Sequence, residues 1–200
     1  MRTRIGFIAA VLVALPIAAQ NAPTTATPQK QKFSFRAPPN TGKYTQQHII
    51  EVGDVPGHQL RVLELQRTFT AASTAGAAND AGSANASMSG PTTAPIFNGV
   101  RATEMWARGL SDYTNATGRV SGYYVFMMEN GDKVFAHYDG LALTPAGGQT
   151  NATYVATLTG GTGKFKDIRG VMRGTGVVSF TAGKAGSIET QWEGEYWMER

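Results

Sequence analysis

Near the end of the chain apolar and polar positions alternate with a period of two. Ile188, Thr190, Trp192, Tyr196 and Met198 fall on one side, and Gln191, Glu193 and Glu195 on the other. That period belongs to a strand with one dry and one wet face, because successive side chains leave an extended backbone in opposite directions. Similar patterning predicts strands over 46–52, 59–69, 100–110, 120–128, 133–143, 153–159 and 168–180. Asn130-Gly131 stands between two of these runs, and Asn-Gly in that setting is a strong hairpin signal because both residues tolerate positive φ. No stretch carries a convincing 3.6-residue apolar period. Eight strands separated by turns predict an all-β fold. Closing an antiparallel eight-stranded sheet into a barrel removes its exposed edges, so a closed barrel is the expected architecture, with a two-sheet sandwich as its rival.

The pattern breaks in three places. Arg2 and Arg4 precede an apolar run over 5–19 that ends in Ile17-Ala18-Ala19, which predicts a secretory signal over 1–19, cut before Gln20. Pro16 interrupts the run, which falls short of the roughly 20 apolar residues that a spanning helix needs. Residues 20–43 are rich in Pro, Thr, Gln and Ala and predict a flexible leader, in which Phe33 and Phe35 are the residues able to dock locally. The barrel domain is expected over 44–200, with a mobile loop at 70–94, where Ala, Ser, Gly, Asn and Thr dominate.

Leu158-Thr159-Gly160-Gly161-Thr162-Gly163-Lys164-Phe165 joins two strand-like runs through glycines. A phosphate-binding loop would need glycine where Leu158 stands and Ser or Thr where Phe165 stands. A dinucleotide fingerprint would need a helix to follow, whereas 171–180 is β-branched and glycine-rich. The stretch reads as a hairpin turn. The longer run that holds it, from Tyr138-Asp139-Gly140 through Tyr154 to Gly170, resembles the late hairpin of the allene oxide cyclase and dirigent superfamily of calycin-like barrels. The chain is also similar to small exported bacterial proteins of that superfamily. The resemblance implies an eight-stranded barrel, a lumen able to take an apolar guest, and a trimer packed through outer faces. In the plant cyclases the first strand carries Glu, a spacer, Asn and Glu; the nearest match here is Glu64-Leu65-Gln66-Arg67, with Gln66 and Arg67 departing from it. The cyclase cysteine has no counterpart, because the chain has no cysteine.

Composition narrows the chemistry. Without cysteine there are no disulfides, thiolate metal sites or cysteine nucleophiles. The formal charge is +4, yet from Tyr44 onward 12 basic residues face 14 acidic ones, so the excess sits in the signal and leader. No basic stripe with interleaved aromatics marks a nucleic-acid surface, and no nucleic-acid partner is expected. His48, His58 and His137 lack the short spacings of metal ligands, and neither a metal nor a cofactor is expected. No Gly-x-Ser-x-Gly is present. Asn85, Asn115 and Asn151 open Asn-x-Ser/Thr triplets but read as turn residues.

Two sets of side chains can do chemistry. If Glu64 and Gln66 face a lumen, desolvation raises the carboxyl pKa and suits Glu64 to proton transfer, with Gln66 positioning water or substrate; the plainer alternative is an outward Glu64 paired with an arginine on the next strand. Glu104, Trp106 and Arg108 project together from another strand and can clamp a polar head group, or simply form a cross-strand charge pair. Tyr124, one of many aromatics able to line a pocket, completes the candidate ligand-binding set. Glycines at 122, 140, 174, 176 and 194 are the hints of interior room. The expected protein is periplasmic or secreted and binds a small apolar or amphipathic ligand. Two rivals stand beside it: a cyclase or isomerase acting on an unsaturated lipid-like substrate, and an oligomeric envelope protein with a filled barrel.

Overall fold

The computed structural model describes residues 27–38, 45–51, 55–69, 93–146, 149–181 and 184–199. The expected signal and nearly all of the expected 70–94 loop lie outside these residues. Among these residues there are ten strands: β1 (Gln31–Ala37), β2 (Thr45–Glu51), β3 (His58–Thr68), β4 (Ile96–Phe97), β5 (Val100–Thr114), β6 (Thr117–Met128), β7 (Lys133–Leu143), β8 (Thr150–Gly161), β9 (Ile168–Thr181) and β10 (Lys184–Met198). All pairings are antiparallel, in the order β1-β10-β9-β8-β7-β6-β5-β3-β2, with β4 added beside β5. The fold is therefore all-β, as the alternation predicts. Among the described residues no helix is long and apolar enough to cross a membrane.

Besides the short β4, which lies in no predicted strand, two features depart from the sequence reading. Part of the expected flexible leader is strand β1, held against β10 from Gln31↔Tyr196 to Ala37↔Thr190, with the ring of Phe35 buried. Two inward phenylalanines outweigh the polar composition around them. The second departure is the β5–β6 connection, where β5 runs on to Thr114 and only Asn115 and Ala116, at φ 51° and 61°, separate it from β6. Two successive positive φ values give the tight hairpin turn whose twist matches the strands.

The Asn130-Gly131 segment forms the β6–β7 turn, with Gly131 at φ 85° and Met128 N–H donating to Asp132 O at 2.9 Å. The glycine-rich run turns β8 into β9 through a short 3₁₀ turn, Gly163–Phe165. The two turns interlock. Thr162 Oγ1 accepts from Lys133 N–H at 2.9 Å and donates to Asp132 Oδ1 at 3.3 Å. Gly163 sits at φ 50° against the Asp132 carboxylate, so any side chain there would be both strained and in collision.

In the hydrogen-bonded order the sheet is open: among the described residues no ladder joins β1 to β2 or β3. Its buried faces nevertheless meet. Arg67 on β3 donates to Thr190 Oγ1 at 2.7 Å and to Ile188 O at 3.1 Å on β10, although five strands lie between β3 and β10 in the sheet order. Phe35 of β1 packs edge-on to Phe69, one residue beyond β3, with ring centroids 6.2 Å apart. The sheet coils around one core built from alternate residues of its strands, including Leu63, Leu65, Met105, Phe126, Leu158 and Trp192.

Candidate functional site

Strand register brings five of the six sequence candidates together, on the outside. Glu64 is opposite Arg108, Gln66 opposite Trp106 and Thr68 opposite Glu104. Arg108 Nη2 donates to Glu64 Oε1 at 2.9 Å, while Gln66 Nε2 and Trp106 Nε1 both donate to Glu104 Oε2, at 3.1 and 3.0 Å. The Arg108 side chain is 70% exposed. On β3 it is Leu63, Leu65 and Arg67 that point inward, so Glu64 and Gln66 share the outer face with the exposed Val62. A lumenal Glu64 is thus not what the fold provides. Apolar residues stood in both phases of this strand, and the register against β5 decided between them. The cluster is a solvated cross-strand network, and such pairs contribute at most about 1 kcal/mol.

Tyr124 is the exception, and it opens onto a second constellation inside the coil. Its ring stacks on Tyr138 at 4.3 Å between centroids and 19° between planes. Trp192, only 1% exposed, lies edge-on to Tyr124 at 5.4 Å and tilted against Tyr154 at 5.5 Å. Arg67, 3% exposed, reaches in from β3. Arg67, Tyr124, Tyr138 and Tyr154 border a cavity of about 40 Å³, closed further by Leu65, Ala107 and Ser111.

Gly140 and Gly174, read from the sequence as room for a guest, make room instead for these rings. A Cβ on Gly174 would lie 2.6 Å from the Trp192 indole, and one on Gly140 would lie 2.5 Å from the Tyr154 ring. The interior is therefore mostly filled by its own aromatics, and the space left is far below the several hundred Å³ of an ordinary ligand pocket. Of the other aromatics considered, Tyr123 is 61% exposed, Phe135 and Trp197 are half-buried, and the Phe180 side chain lies outside the described residues.

The electrostatics of this interior are set by desolvation. Burial pushes the Tyr124, Tyr138 and Tyr154 phenols above their ordinary value, and each neighbouring phenol that Tyr124 and Tyr138 feel adds to the shift. Burial also lowers the Arg67 pKa, while the surrounding tyrosines and Glu189 pull it back up. An arginine starts so high that the guanidinium stays charged at neutral pH. The constellation offers hydrogen-bond donors and one positive charge in a dry place. Among the described residues no carboxylate borders the cavity.

Sequence reading passed over Arg67 except as a departure from the cyclase pattern. The signal was there in one form: a charged residue in phase with Leu63 and Leu65. It is not decisive, because Leu60 and Val62 offer the opposite phase.

Two of the three histidines take part in surface pairs. His58 Nε2 lies 2.6 Å from Asp112 Oδ1, and His137 lies edge-on to Tyr123 at 5.0 Å and 3.4 Å from Asp139 Oδ2. His48 belongs to β2, whose side chains lie outside the described residues. No protein-family model matches the chain, and comparison with curated proteins finds no match.

Proposed function

We propose that this protein is an exported binding protein of the allene oxide cyclase and dirigent type, a closed barrel that takes the compact polar end of a small amphipathic molecule into the cavity beside Arg67. The observation that carries the reading is a fully buried guanidinium among three phenols bordering unfilled space. Desolvating a charge is costly, and interiors that need only packing do without one. Closure is supported by the Arg67 bonds from β3 to β10 and by the Phe35–Phe69 contact. A cavity of about 40 Å³ admits a few heavy atoms, so the apolar remainder of the guest would leave toward Arg61, Leu63 and Ile188, which line the same space.

Binding is favoured over isomerisation because the cavity offers no general base. Its phenols are held protonated, and Glu64 is bonded to Arg108 on the outer face. Native mass spectrometry of protein purified without denaturation from the envelope fraction tests the reading. A co-purifying small molecule that is lost in Arg67→Met is the expected result. Wild-type protein that carries no adduct and takes up none from an extract of small amphiphiles would leave a filled, non-binding barrel instead.

A further inference from the structure

The seam of the coil is bonded at one place and parts at the next. Residues 93–97 run beside β1: the Arg36 backbone N–H donates to Thr93 Oγ1 at 2.9 Å, Thr93 N–H donates to Arg36 O at 3.1 Å, and the Phe33 and Phe97 rings meet edge-on at 5.0 Å. Beside this contact lies a groove of about 910 Å³, lined among others by Lys32 and Ser34 of β1, Ile96 of β4, and Phe33, Met172 and Tyr196. It shares no residue with the cavity beside Arg67.

Unpaired backbone faces this groove from both sides. Along a strand, successive residues turn their N–H and C=O to opposite edges. Arg36 turns its pair away from β10 toward Thr93, so Ser34 and Lys32, two and four residues back, turn theirs the same way. Pro95 O accepts from Ala102 N–H at 2.9 Å and Phe97 pairs with Val100, both toward β5, so Ile96 between them turns its N–H and C=O away from β5. Among the described residues none of the three has a backbone partner on that side. Such an edge is a template for one more strand.

The side chains around it say which strand fits. Inward residues of an added strand would meet Phe33, Met172 and Tyr196, which favours apolar groups. Outward residues would lie beside Lys32, which is exposed and has no ion pair among the described residues. Arg101, which also lines the groove, has its Nη1 buried without a hydrogen-bond partner, although its Nε lies 3.5 Å from Glu129 Oε2. The acids of the lining, Glu193 and Glu195, stand one strand behind on β10, where Glu193 is opposite Arg173 and Glu195 is bonded to Lys30. We propose that the groove between β1 and β4 receives an extended segment of another protein as an added strand, apolar toward the core and acidic toward solvent. A second copy of β1 fits worse, because its Lys32 and Arg36 would bring like charges to the same edge.

The peptide Glu-Val-Glu-Val-Glu-Val-Glu, capped at both ends, tests this by NMR titration and amide hydrogen exchange on the full-length protein at neutral pH. It is expected to slow exchange of the Lys32 and Ser34 amides at least about tenfold. It should also bind at least about tenfold more tightly than a twin with Lys at every Glu position. Ser34→Pro removes an edge donor and leaves the β10 ladder intact, so it should abolish binding at an unchanged thermal transition. Lys32→Glu should erase the preference for the acidic peptide, and it carries the test if the proline variant fails to fold. Binding that leaves both amides unprotected would overturn strand addition and make the groove a pocket for side chains or a small molecule. Equal affinity for the lysine twin would overturn the acidic partner. Amides that already exchange slowly in the protein alone would overturn the proposal too, since the edge would then be covered by the chain itself or by a second copy. So would the absence of binding at about 1 mM peptide.

Discussion

At the scale of single residues, small side chains decide what the large ones can do. Trp192 lies where a Cβ on Gly174 would stand, 2.6 Å from the nearest indole carbons. Gly174→Ala therefore overpacks a site that is 1% exposed at the tryptophan, and is expected to cost about 1–3 kcal/mol, read from the urea midpoint at unchanged m-value. The tyrosines give a second expectation. In the unfolded chain their phenols ionise near the ordinary value of 10, whereas burial keeps them protonated beyond it in the folded protein. Above that pH the folded state binds more protons than the unfolded one, so stability falls as pH rises. The tyrosine contribution is fully present below about pH 9. Between about pH 10 and 11.5 the urea midpoint should drop steeply, and less steeply in Tyr138→Phe.

At the scale of elements, much of the strand inventory was legible and the connections less so. The alternation over 133–143 coincides with β7, and 120–128 lies within β6. The hairpin at Asn130-Gly131 and the glycine turn after Leu158 were readable from turn chemistry alone. That these two turns bond to each other through Thr162 and Asp132 was not readable, because it depends on β7 and β8 lying side by side in one register. Strand β1 was missed for a related reason. Seven residues with two phenylalanines carry little signal until β10 offers an edge to pair with. Which face of β3 is dry also lay beyond local pattern, and with it the fate of Glu64 and Gln66.

At the scale of the whole molecule, closure of the coil decides whether the sheet keeps two free edges. Strands β1 and β3 stand seven steps apart in the hydrogen-bonded order. At about 4.8 Å per step an uncoiled sheet would separate them by about 34 Å before any label is added. With no native cysteine to interfere, nitroxide labels at Ser34→Cys and Thr68→Cys can be placed cleanly on both strands. Closure of the coil predicts a single narrow distance distribution below about 25 Å by pulsed electron resonance. A broad distribution centred above about 34 Å would show a sheet with two free edges, and the claim to a barrel would fall.

What the sequence determined by itself is the all-β character and the position of most strands and turns, because a period of two and a glycine in a turn are local consequences of backbone geometry. What only the tertiary structure decided is which of two alternating faces went inward. Burial is a property of the coiled sheet and not of any strand: register against β5 sent Glu64 to the surface and Arg67 to the interior, one residue type readable as catalytic and the other as incidental. The interior site exists because β3, β6, β7, β8 and β10 bring Arg67, Tyr124, Tyr138, Tyr154 and Thr190 to one cavity across more than a hundred residues of chain, a distance over which no sequence period reaches.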